Sequence, residues 1–427
     1  MRLLYSMLWW LALPLVLARL WLRGRQEPGY RRHWGERLGF YGARPAPRLA
    51  IWVHAVSVGE TRAAEPLIDA LLAAYPACRI VLTHMTPTGR ATGRALFARH
   101  GARLIQSYLP YDTGSMAARF IGHFAPCVCI LMETEVWPNL IAMCARSRVP
   151  VALVNARLSA RSLGKAQRFG KLMHDAARGI ALVAAQTEAD AARVRTLGVA
   201  RVAVTGSIKF DVPVPAAALA AGAQLRARIG ARPVLLCAST REGEEELILD
   251  ALQQAALPAG MLLLLVPRHP QRFDSVAALL AVRGVAMRRR SSMAQDGNPL
   301  PPGVTVLLGD SMGEMFSYYA ACDCAFIGGS LLPLGGQNLI EACALGKPVL
   351  IGPHTFNFAL VTDDAIAAGA AVCVPDAAAL LRQASQWLQD PARLTAMGRQ
   401  ALAFAGQHRG ATARTMALLA PLISSAS

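Results

Sequence analysis

The stretch Ile51-Trp-Val-His-Ala-Val-Ser-Val-Gly-Glu60 decides the fold class of this chain. Its first six residues are nearly all apolar, which is typical of a strand covered on both faces of a parallel sheet. Residues 60–74 then place apolar side chains at helical spacing, so a glycine turn joins a strand to a helix. Glu60 therefore lies at the carboxyl edge of a sheet, where α/β proteins bind ligands. A glutamate that only complements the helix dipole would suit the same position, and the stretch alone leaves both interpretations open.

The same alternation of short apolar runs and helical stretches recurs along most of the chain, which predicts parallel sheets with crossover helices. The candidate strands fall into two groups: 51–56, 79–83, 103–108, 127–132, 151–155, 180–185 and 202–204, and then 233–238, 261–266, 304–308, 324–327, 348–351 and 371–374. A Pro- and Ala-rich passage at 211–217 separates them. We therefore predict an α/β fold with two Rossmann-like lobes facing a cleft, an arrangement typical of GT-B glycosyltransferases and shared by nucleotide-sugar epimerases. The final stretch, about 390–424, is helical and can pack back on the N-terminal lobe.

The N-terminus predicts a membrane anchor over residues 1–24. Residues 3–18 carry no charge, and with Arg19 snorkelling the apolar segment reaches about 20 residues, enough to span a bilayer. A shallow helix in the membrane interface fits the same segment. The flank that follows is strongly basic, with arginines at 23, 25, 31, 32 and 37. By the positive-inside rule the globular body is expected to be cytoplasmic.

Charge and composition limit the partners and cofactors. The net charge is +17 with a pI of about 10.2, which favours an anionic partner such as a membrane surface or a phosphorylated substrate. Nucleic acid is not expected, because zinc-finger spacing, an RNP-type strand and a homeodomain-like helix are all missing. Nor does the sequence contain a dinucleotide-binding or P-loop glycine motif. The nine cysteines suit packed thiols in a reducing compartment, and we expect neither a metal nor another cofactor.

Several candidate site residues follow predicted strands. In the second group, Pro267-Arg268 ends one strand, and an arginine there suits a phosphate or carboxylate. Met312-Gly313-Glu314 opens a helix after the next strand. Asn338-Leu339-Ile340-Glu341 follows two glycine pairs; it fits a simple helix cap, whereas the glycines favour close approach to a ligand.

In the first group, Glu133 and Glu135 follow strand 127–132, and Asn155 with Arg157 ends the following strand. Acidic and basic groups thus converge on one sheet edge. Lys209 lies just before the predicted linker, where an ordinary exposed lysine is equally compatible with the pattern.

Together these motifs resemble one family, the 3-deoxy-D-manno-octulosonic acid (Kdo) transferases of lipopolysaccharide synthesis. The matching stretches lie in one order along residues 1 to about 360: Tyr30–Gly39, His54–Glu60, Met85–Gly89, Met132–Asn139, Asn155–Ser162, Gly206–Asp211, Pro267–Pro270, Gly309–Glu314 and Gly352–Asn357. Two positions depart from the pattern. Gln337 stands where a polar residue such as histidine is expected, and Leu339 follows Asn338 in place of proline.

The resemblance implies an inverting, metal-independent enzyme at the cytoplasmic face of the inner membrane. Such an enzyme moves Kdo from CMP-Kdo to a lipid A precursor (lipid IVA). By the same resemblance, Glu60 is the proton acceptor, while Glu133 and Lys209 stabilise the transition state. The segments 267–268, 312–314 and 338–341 bind CMP, which makes 25–210 the acceptor-binding domain and 218–427 the donor-binding domain. We expect the helix N-terminus to lower the pKa of Glu60. The alternatives are a tethered, non-catalytic binder of nucleotide sugar or lipid A, and another lipid-linked glycosyltransferase.

Overall fold

The computed structural model describes residues 1–25, 27–46, 48–211, 214–255 and 257–424, apart from the side chains at 294–296. The chain forms two compact units, one of Met1–Val212 with Arg409–Ser427 and the other of Pro213–His408. Val212 and Pro213, within the predicted linker, lie outside the described residues.

The first unit is built on a parallel sheet of seven strands in the order β3-β2-β1-β4-β5-β6-β7. The strands are β1 Ala50–His54, β2 Arg79–His84, β3 Leu104–Tyr108, β4 Pro126–Met132, β5 Val151–Ala156, β6 Leu182–Ala185 and β7 Val202–Val204. All seven predicted strands are confirmed. Each run is apolar because helices cover both faces of the sheet, and a buried cluster of hydrophobic side chains fills each face.

The helices of the first unit connect these strands and cover the sheet. They are α1 Arg2–Arg23, α2 Trp34–Arg37, α3 Val58–Ala63, α4 Glu65–Ala74, α5 Pro87–Leu96, α6 Gly114–Phe124, α7 Pro138–Arg146, α8 Ala160–Arg168, α9 Lys171–Arg178 and α10 Glu188–Arg195. The single helix predicted over 60–74 is wrong, since α3 ends at Ala63 and Pro66 lies in the first turn of α4. Proline lacks the N–H that a continuous helix would need there.

The second unit repeats the plan with seven parallel strands in the order β10-β11-β9-β8-β12-β13-β14. They are β8 Val234–Thr240, β9 Leu262–Pro267, β10 Met287–Arg289, β11 Val306–Leu308, β12 Cys324–Ile327, β13 Val349–Ile351 and β14 Ala371–Cys373. The six predicted strands are confirmed, and β10 was missed. Because β10 is an edge strand with two arginines, it lacks the apolar signature of the inner strands.

The remaining helices are α11 Ala216–Ile229, α12 Glu244–Gln254, α13 Phe273–Val282, α14 Arg290–Asp296, α15 Met315–Ala321, α16 Ile340–Ala344, α17 Ala359–Ala367, α18 Ala377–Leu388, α19 Pro391–Gln407 and α20 Ala411–Ser424. The last of these, α20, packs in the core of the first unit through Leu419 and Ile423. Asp211 accepts hydrogen bonds from the backbone N–H groups of Gly410 and Thr412, which fixes the start of this helix.

Helix α1 packs against the first unit through a small apolar cluster. Leu13 and Leu20 are buried there with Tyr30, Tyr111 and Met116. The ring centroids of Trp9 and Tyr111 are 5.7 Å apart. The helix is 22 residues long with a mean hydropathy of 1.7, enough in length and composition to cross a membrane.

Candidate active site

The carboxyl edge of the first sheet contains the point where the chain connections diverge. Strands β1 and β4 are neighbours, with His54 in register with Leu131, whereas the connection from β1 runs to β2 on its other side. Such a switch point leaves a crevice between the loops that follow the two strands. Glu60 follows β1 and Glu133 follows β4, so both carboxylates lie at this point.

Glu60 is held in place by three local hydrogen bonds. Its Oε2 accepts from the backbone N–H of Val56 at 2.9 Å, and its Oε1 accepts from the Ser57 hydroxyl at 3.1 Å. Ser57 in turn caps α3 by accepting from the N–H of Glu60. The carboxylate is therefore fixed in orientation at the first turn of α3.

The pKa of Glu60 is raised, and the prediction that it is lowered is wrong. Burial is the largest cause, and the charge of Glu133 also raises the pKa, while the bonds from Val56 and Ser57 and the charge of Lys209 oppose the shift. Desolvation of the carboxylate thus outweighs the hydrogen bonds and the lysine charge that stabilise its ionised form. A raised pKa makes Glu60 a stronger base than an ordinary glutamate.

Glu133 forms an ion pair with Lys209. The Lys209 Nζ lies 2.8 Å from Oε1 of Glu133, with 31% of the lysine side chain and 15% of the glutamate side chain exposed. Because the charges of Glu133 and Lys209 both act on the pKa of Glu60, the three residues form one charged cluster.

Backbone geometry at two neighbouring strand ends supports this cluster. Glu133 and Asn155 adopt positive φ angles of 57° and 52°. This conformation is unfavourable for residues other than glycine, and residues that adopt it are often found at functional sites. The Asn155 amide donates to Glu133 Oε1 at 3.5 Å, and its Oδ1 accepts from the N–H of Ile208 at 3.1 Å. Asn155 therefore links the loop of Glu133 to the short 3₁₀ turn that carries Lys209.

Glu135 is a further member of this edge for which the sequence assigned no role. Burial and then the charge of Glu60 raise its pKa from 4.5 to about 7. Its position directly after a strand was visible in the sequence, but its burial was not.

In the second unit the switch point lies between β8 and β12, and two arginines lie near it. Arg268 follows β9 and donates from Nε to the Gln337 Oε1 at 3.2 Å, so the glutamine at the unexpected position holds the guanidinium. Arg241 follows β8. Burial is the largest cause of the lowered pKa of His269, and the charges of Arg241 and Arg268 lower this pKa further.

Sequence reasoning missed Arg241. Its side chain makes no ion pair or hydrogen bond with any residue that the structure describes. Its position directly after strand β8 was the available signal.

The glycine pairs near β12 pack against the chain itself. A Cβ at Gly328 would lie 2.5 Å from the carbonyl oxygen of Ser239, and one at Gly335 would lie 2.1 Å from the Asn357 side chain. The buried Glu244 carboxylate also accepts three backbone N–H groups, from residues 329, 330 and 331. Internal packing therefore accounts for these two glycines without a ligand.

The other predicted donor-site segments lie along the same sheet edge, after β11 and β12. Met312 and Gly313 are exposed, and Glu314 pairs with Arg290 at 2.9 Å. The Asn338 side chain donates to Glu341 at 3.2 Å and accepts from the Ile340 N–H. The N-cap residue of α16 is Leu339, which makes no side-chain cap, so these bonds lie at the helix start without forming the reciprocal cap that the sequence suggested.

Leu339 and Ile340 are buried as whole residues, so neither presents a side chain or backbone surface to a ligand in this structure. Pro267, the last residue of β9, is buried as well. Within the described part of the chain, no three His, Cys, Asp or Glu residues are grouped to hold a metal ion.

Comparison with known proteins agrees with these two units. Residues 32–212 match the family of 3-deoxy-D-manno-octulosonic-acid transferases, and residues 284–404 match the glycosyl transferases of group 1. A solved structure of the Anabaena protein HepE in complex with UDP superposes with a TM-score of 0.55 at 15% identity, covering 88% of this chain and 100% of that one. That likeness concerns the fold alone, and with the two parallel sheets it shows an α/β fold of the GT-B type.

Two curated relatives align over most of their length. The 3-deoxy-D-manno-octulosonic acid transferase of Bordetella pertussis is 49% identical over 413 residues, covering 94% of this chain and 95% of the relative. The enzyme of the same name from Haemophilus influenzae is 42% identical, covering 84% of this chain and 83% of the relative. The chain therefore belongs to the 3-deoxy-D-manno-octulosonic acid (Kdo) transferase family, and it is a glycosyltransferase.

Proposed function

We propose that this enzyme transfers Kdo from CMP-Kdo to a lipid A precursor, with inversion at the anomeric carbon, at the cytoplasmic face of the inner membrane. The observation that carries the proposal is the cluster at the first switch point: Glu60, oriented and with a raised pKa, beside the Glu133–Lys209 pair. A tethered protein that only binds its ligands would gain nothing from a half-buried, oriented base.

In the proposed step, Glu60 accepts the proton of an acceptor sugar hydroxyl. The hydroxyl oxygen forms a bond to the anomeric carbon of Kdo while the bond from that carbon to the phosphate oxygen breaks, and CMP leaves with the electron pair. Attack from the face opposite the leaving group inverts the configuration. The hydrogen bonds from Val56 and Ser57 keep the Glu60 carboxylate in position, so its orientation as well as its raised basicity favours proton transfer.

Glu133 and Lys209 act on the charge that develops during transfer. The ammonium stabilises negative charge on the phosphate or carboxylate of the donor, and Glu133 orients the ammonium through the 2.8 Å contact. Asn155 acts as a positioning residue, because it joins both loops.

The second unit binds the donor. Arg268 and Arg241 supply positive charge at its switch point, which suits the CMP phosphate. Exposed Met312 and Gly313, together with Glu314, Asn338 and Glu341, complete the proposed CMP site, while buried Leu339 and Ile340 contribute packing only. We propose that these arginines, and not a metal ion, neutralise the phosphate.

Membrane attachment is the remaining part of the proposal. It is supported by the apolar surface of α1 and by the exposed arginines that follow it, which would contact anionic headgroups.

The test is a donor panel with the full-length enzyme in mixed lipid and detergent. CMP-Kdo, CMP-sialic acid and UDP-GlcNAc are each offered with a lipid A precursor, and the product is identified by mass spectrometry and NMR of the anomeric centre. We expect transfer from CMP-Kdo alone, with inverted configuration and unchanged by EDTA. Transfer from another donor would contradict CMP-Kdo as the donor, and retention of configuration would contradict inversion. Loss of activity in EDTA that Mg²⁺ restores would contradict the proposal that arginines, and not a metal ion, neutralise the phosphate.

A further inference from the structure

Helix α1 docks on the first unit along its whole length through one face. The residues on that face are Tyr5, Ser6, Trp9, Ala12, Leu13, Val16, Leu17 and Leu20, and all are at least partly buried. Their spacing of three and four residues is that of a single helical stripe. Because the contacts reach from residue 5 to residue 20, they extend over about 22 Å of helix.

Polar contacts occur at the N-terminal end of this face. The Ser6 hydroxyl donates to Asn139 Oδ1 at 3.1 Å. Asn139 is itself buried and donates to the backbone oxygen of Asp112 at 2.7 Å, while the Asp112 carboxylate accepts from the N–H groups of Asn139 and Leu140. The start of α1 is thus joined to a buried polar network of the globular body.

The opposite end of α1 contacts the body as well. The ring centroids of Trp21 and Trp34 are 6.4 Å apart, and the Arg31 guanidinium lies 4.1 Å from the centroid of the Trp21 ring. Arg31 also donates to the carbonyl oxygen of Trp21 at 3.2 Å. Both ends of the helix are therefore attached to the same body.

The outward face of α1 is apolar and exposed. It comprises Leu3, Leu4, Met7, Leu8, Trp10, Leu11, Leu15, Trp21 and Leu22, each at least half exposed. Exposed arginines lie at its C-terminal end and just beyond, at 19, 23, 25, 31 and 32. An apolar stripe bordered by cationic side chains fits the surface of an anionic bilayer.

From these contacts we infer that α1 lies in the plane of one leaflet, docked on the globular body, and does not cross the bilayer. A helix that crossed about 30 Å of hydrocarbon would carry its start to the far interface. Residues Tyr5 to Trp9 would then leave Asn139, Asp112 and Tyr111, and the buried polar network would lose a partner or enter hydrocarbon.

The in-plane position has a consequence for the acceptor. Asp112 follows β3 and Asn139 follows β4, so α1 lies over the same carboxyl edge of the sheet as Glu60 and Glu133. An in-plane helix sets this edge against the lipid surface, where a lipid-linked hydroxyl is located. This inference rests on the membrane attachment in the proposed function.

The test uses impermeant maleimide labelling of the full-length enzyme in sealed vesicles of phosphatidylethanolamine and phosphatidylglycerol, with the body outside. Arg2→Cys and Arg25→Cys are made in a Cys373→Ser background, since Cys373 is the exposed native cysteine among those the structure describes. We expect both positions to react to about the same extent before detergent is added. Labelling of Arg25→Cys alone, with Arg2→Cys reacting only after detergent, would show a spanning helix and overturn the inference.

Two further readouts separate the remaining outcomes. An environment-sensitive dye on Leu11→Cys is expected to shift to the blue on addition of vesicles. A disulfide-linked dimer at Leu11→Cys would instead show that a second copy covers the stripe, which would overturn the lipid assignment. Failure of the wild-type protein to co-sediment with the vesicles would contradict membrane attachment itself, a different failure from a spanning helix.

Discussion

The ammonium of Lys209 lies 2.8 Å from the carboxylate of Glu133, although the two residues follow strands β7 and β4, which are separated by two strands in the sheet. The contact depends on Asn155, which bonds both to Glu133 and to the turn that bears Lys209. The pair lies close enough to Glu60 for both charges to act on its pKa, in opposite directions. The three residues therefore form one electrostatic unit.

Replacing Lys209 with methionine should move the acid limb of the pH profile. Lys209 lowers the pKa of Glu60, whereas Glu133 raises it, so removing the ammonium leaves the repulsion of Glu133 unopposed. The pKa of Glu60 then rises further, and kcat/KM should begin to fall at a higher pH than in the wild type as pH decreases. Lys209→Arg keeps the charge and serves as the control. If kcat/KM fell over the same acidic pH range in the wild type and in Lys209→Met, the charge of Lys209 would not act on the pKa of Glu60.

Glu135→Gln should stabilise the protein in a pH-dependent manner. Because folding raises the pKa of this carboxyl from 4.5 to about 7, its favourable contribution is complete below pH 4.5 and is lost as the pH rises through 7. The melting temperature of the variant should therefore match or fall below that of the wild type at pH 4.5 and exceed it at pH 8.

A matched control for that measurement is Glu188→Gln, since the Glu188 side chain is 71% exposed and pairs with Arg195 at the surface. Its difference from the wild type should be small at every pH. If the difference in melting temperature between Glu135→Gln and the wild type stayed constant across the same pH range, the burial of this carboxyl would have been misassigned.

Arg241→Ala and Arg268→Ala should each weaken CMP binding. Loss of one charge-assisted hydrogen bond costs about 1.5–3 kcal/mol, roughly a tenfold to hundredfold rise in Kd. Arg268→Lys should recover only part of the loss, because lysine cannot present the same planar fork toward Gln337 and the ligand.

Isothermal titration calorimetry of the full-length enzyme with CMP measures these effects. Arg382→Ala, an exposed arginine on α18, is the control and should bind as the wild type does. Unchanged affinity in Arg241→Ala would remove that residue from the donor site, and unchanged affinity in both variants would remove the site from this sheet edge.

Most of the fold was predictable because parallel strands buried on both faces leave continuous apolar runs in the sequence. The exceptions have physical causes. Strand β10 lies at an edge and carries Arg288 and Arg289, so nothing distinguishes it from a loop. The break between α3 and α4 depends on Pro66, which the apolar periodicity of residues 60–74 conceals.

The convergence of Glu60 and Glu133 was predictable, since carboxyl ends of parallel strands share one edge. The place of Lys209 beside them depends on the Asn155–Ile208 bond, a long-range contact that no local pattern reports. The direction of the Glu60 pKa shift was predicted wrongly, because the sequence reveals the helix start but not the burial of the carboxylate. Arg241 went unassigned because an isolated arginine after a strand carries no motif.

The most direct test of the account is the turnover of Glu60→Gln with CMP-Kdo and a lipid A precursor. The variant keeps the shape and the first-turn position but removes the base, so we expect it to fold, to bind CMP as the wild type does, and to lose transfer by about 10²–10⁴-fold. Glu65→Gln is the matched control, because Glu65 is a first-turn glutamate of the next helix that pairs with Arg99. If Glu60→Gln lowered the melting temperature and left turnover per folded molecule near that of Glu65→Gln, Glu60 would be structural and the proposed mechanism would be wrong.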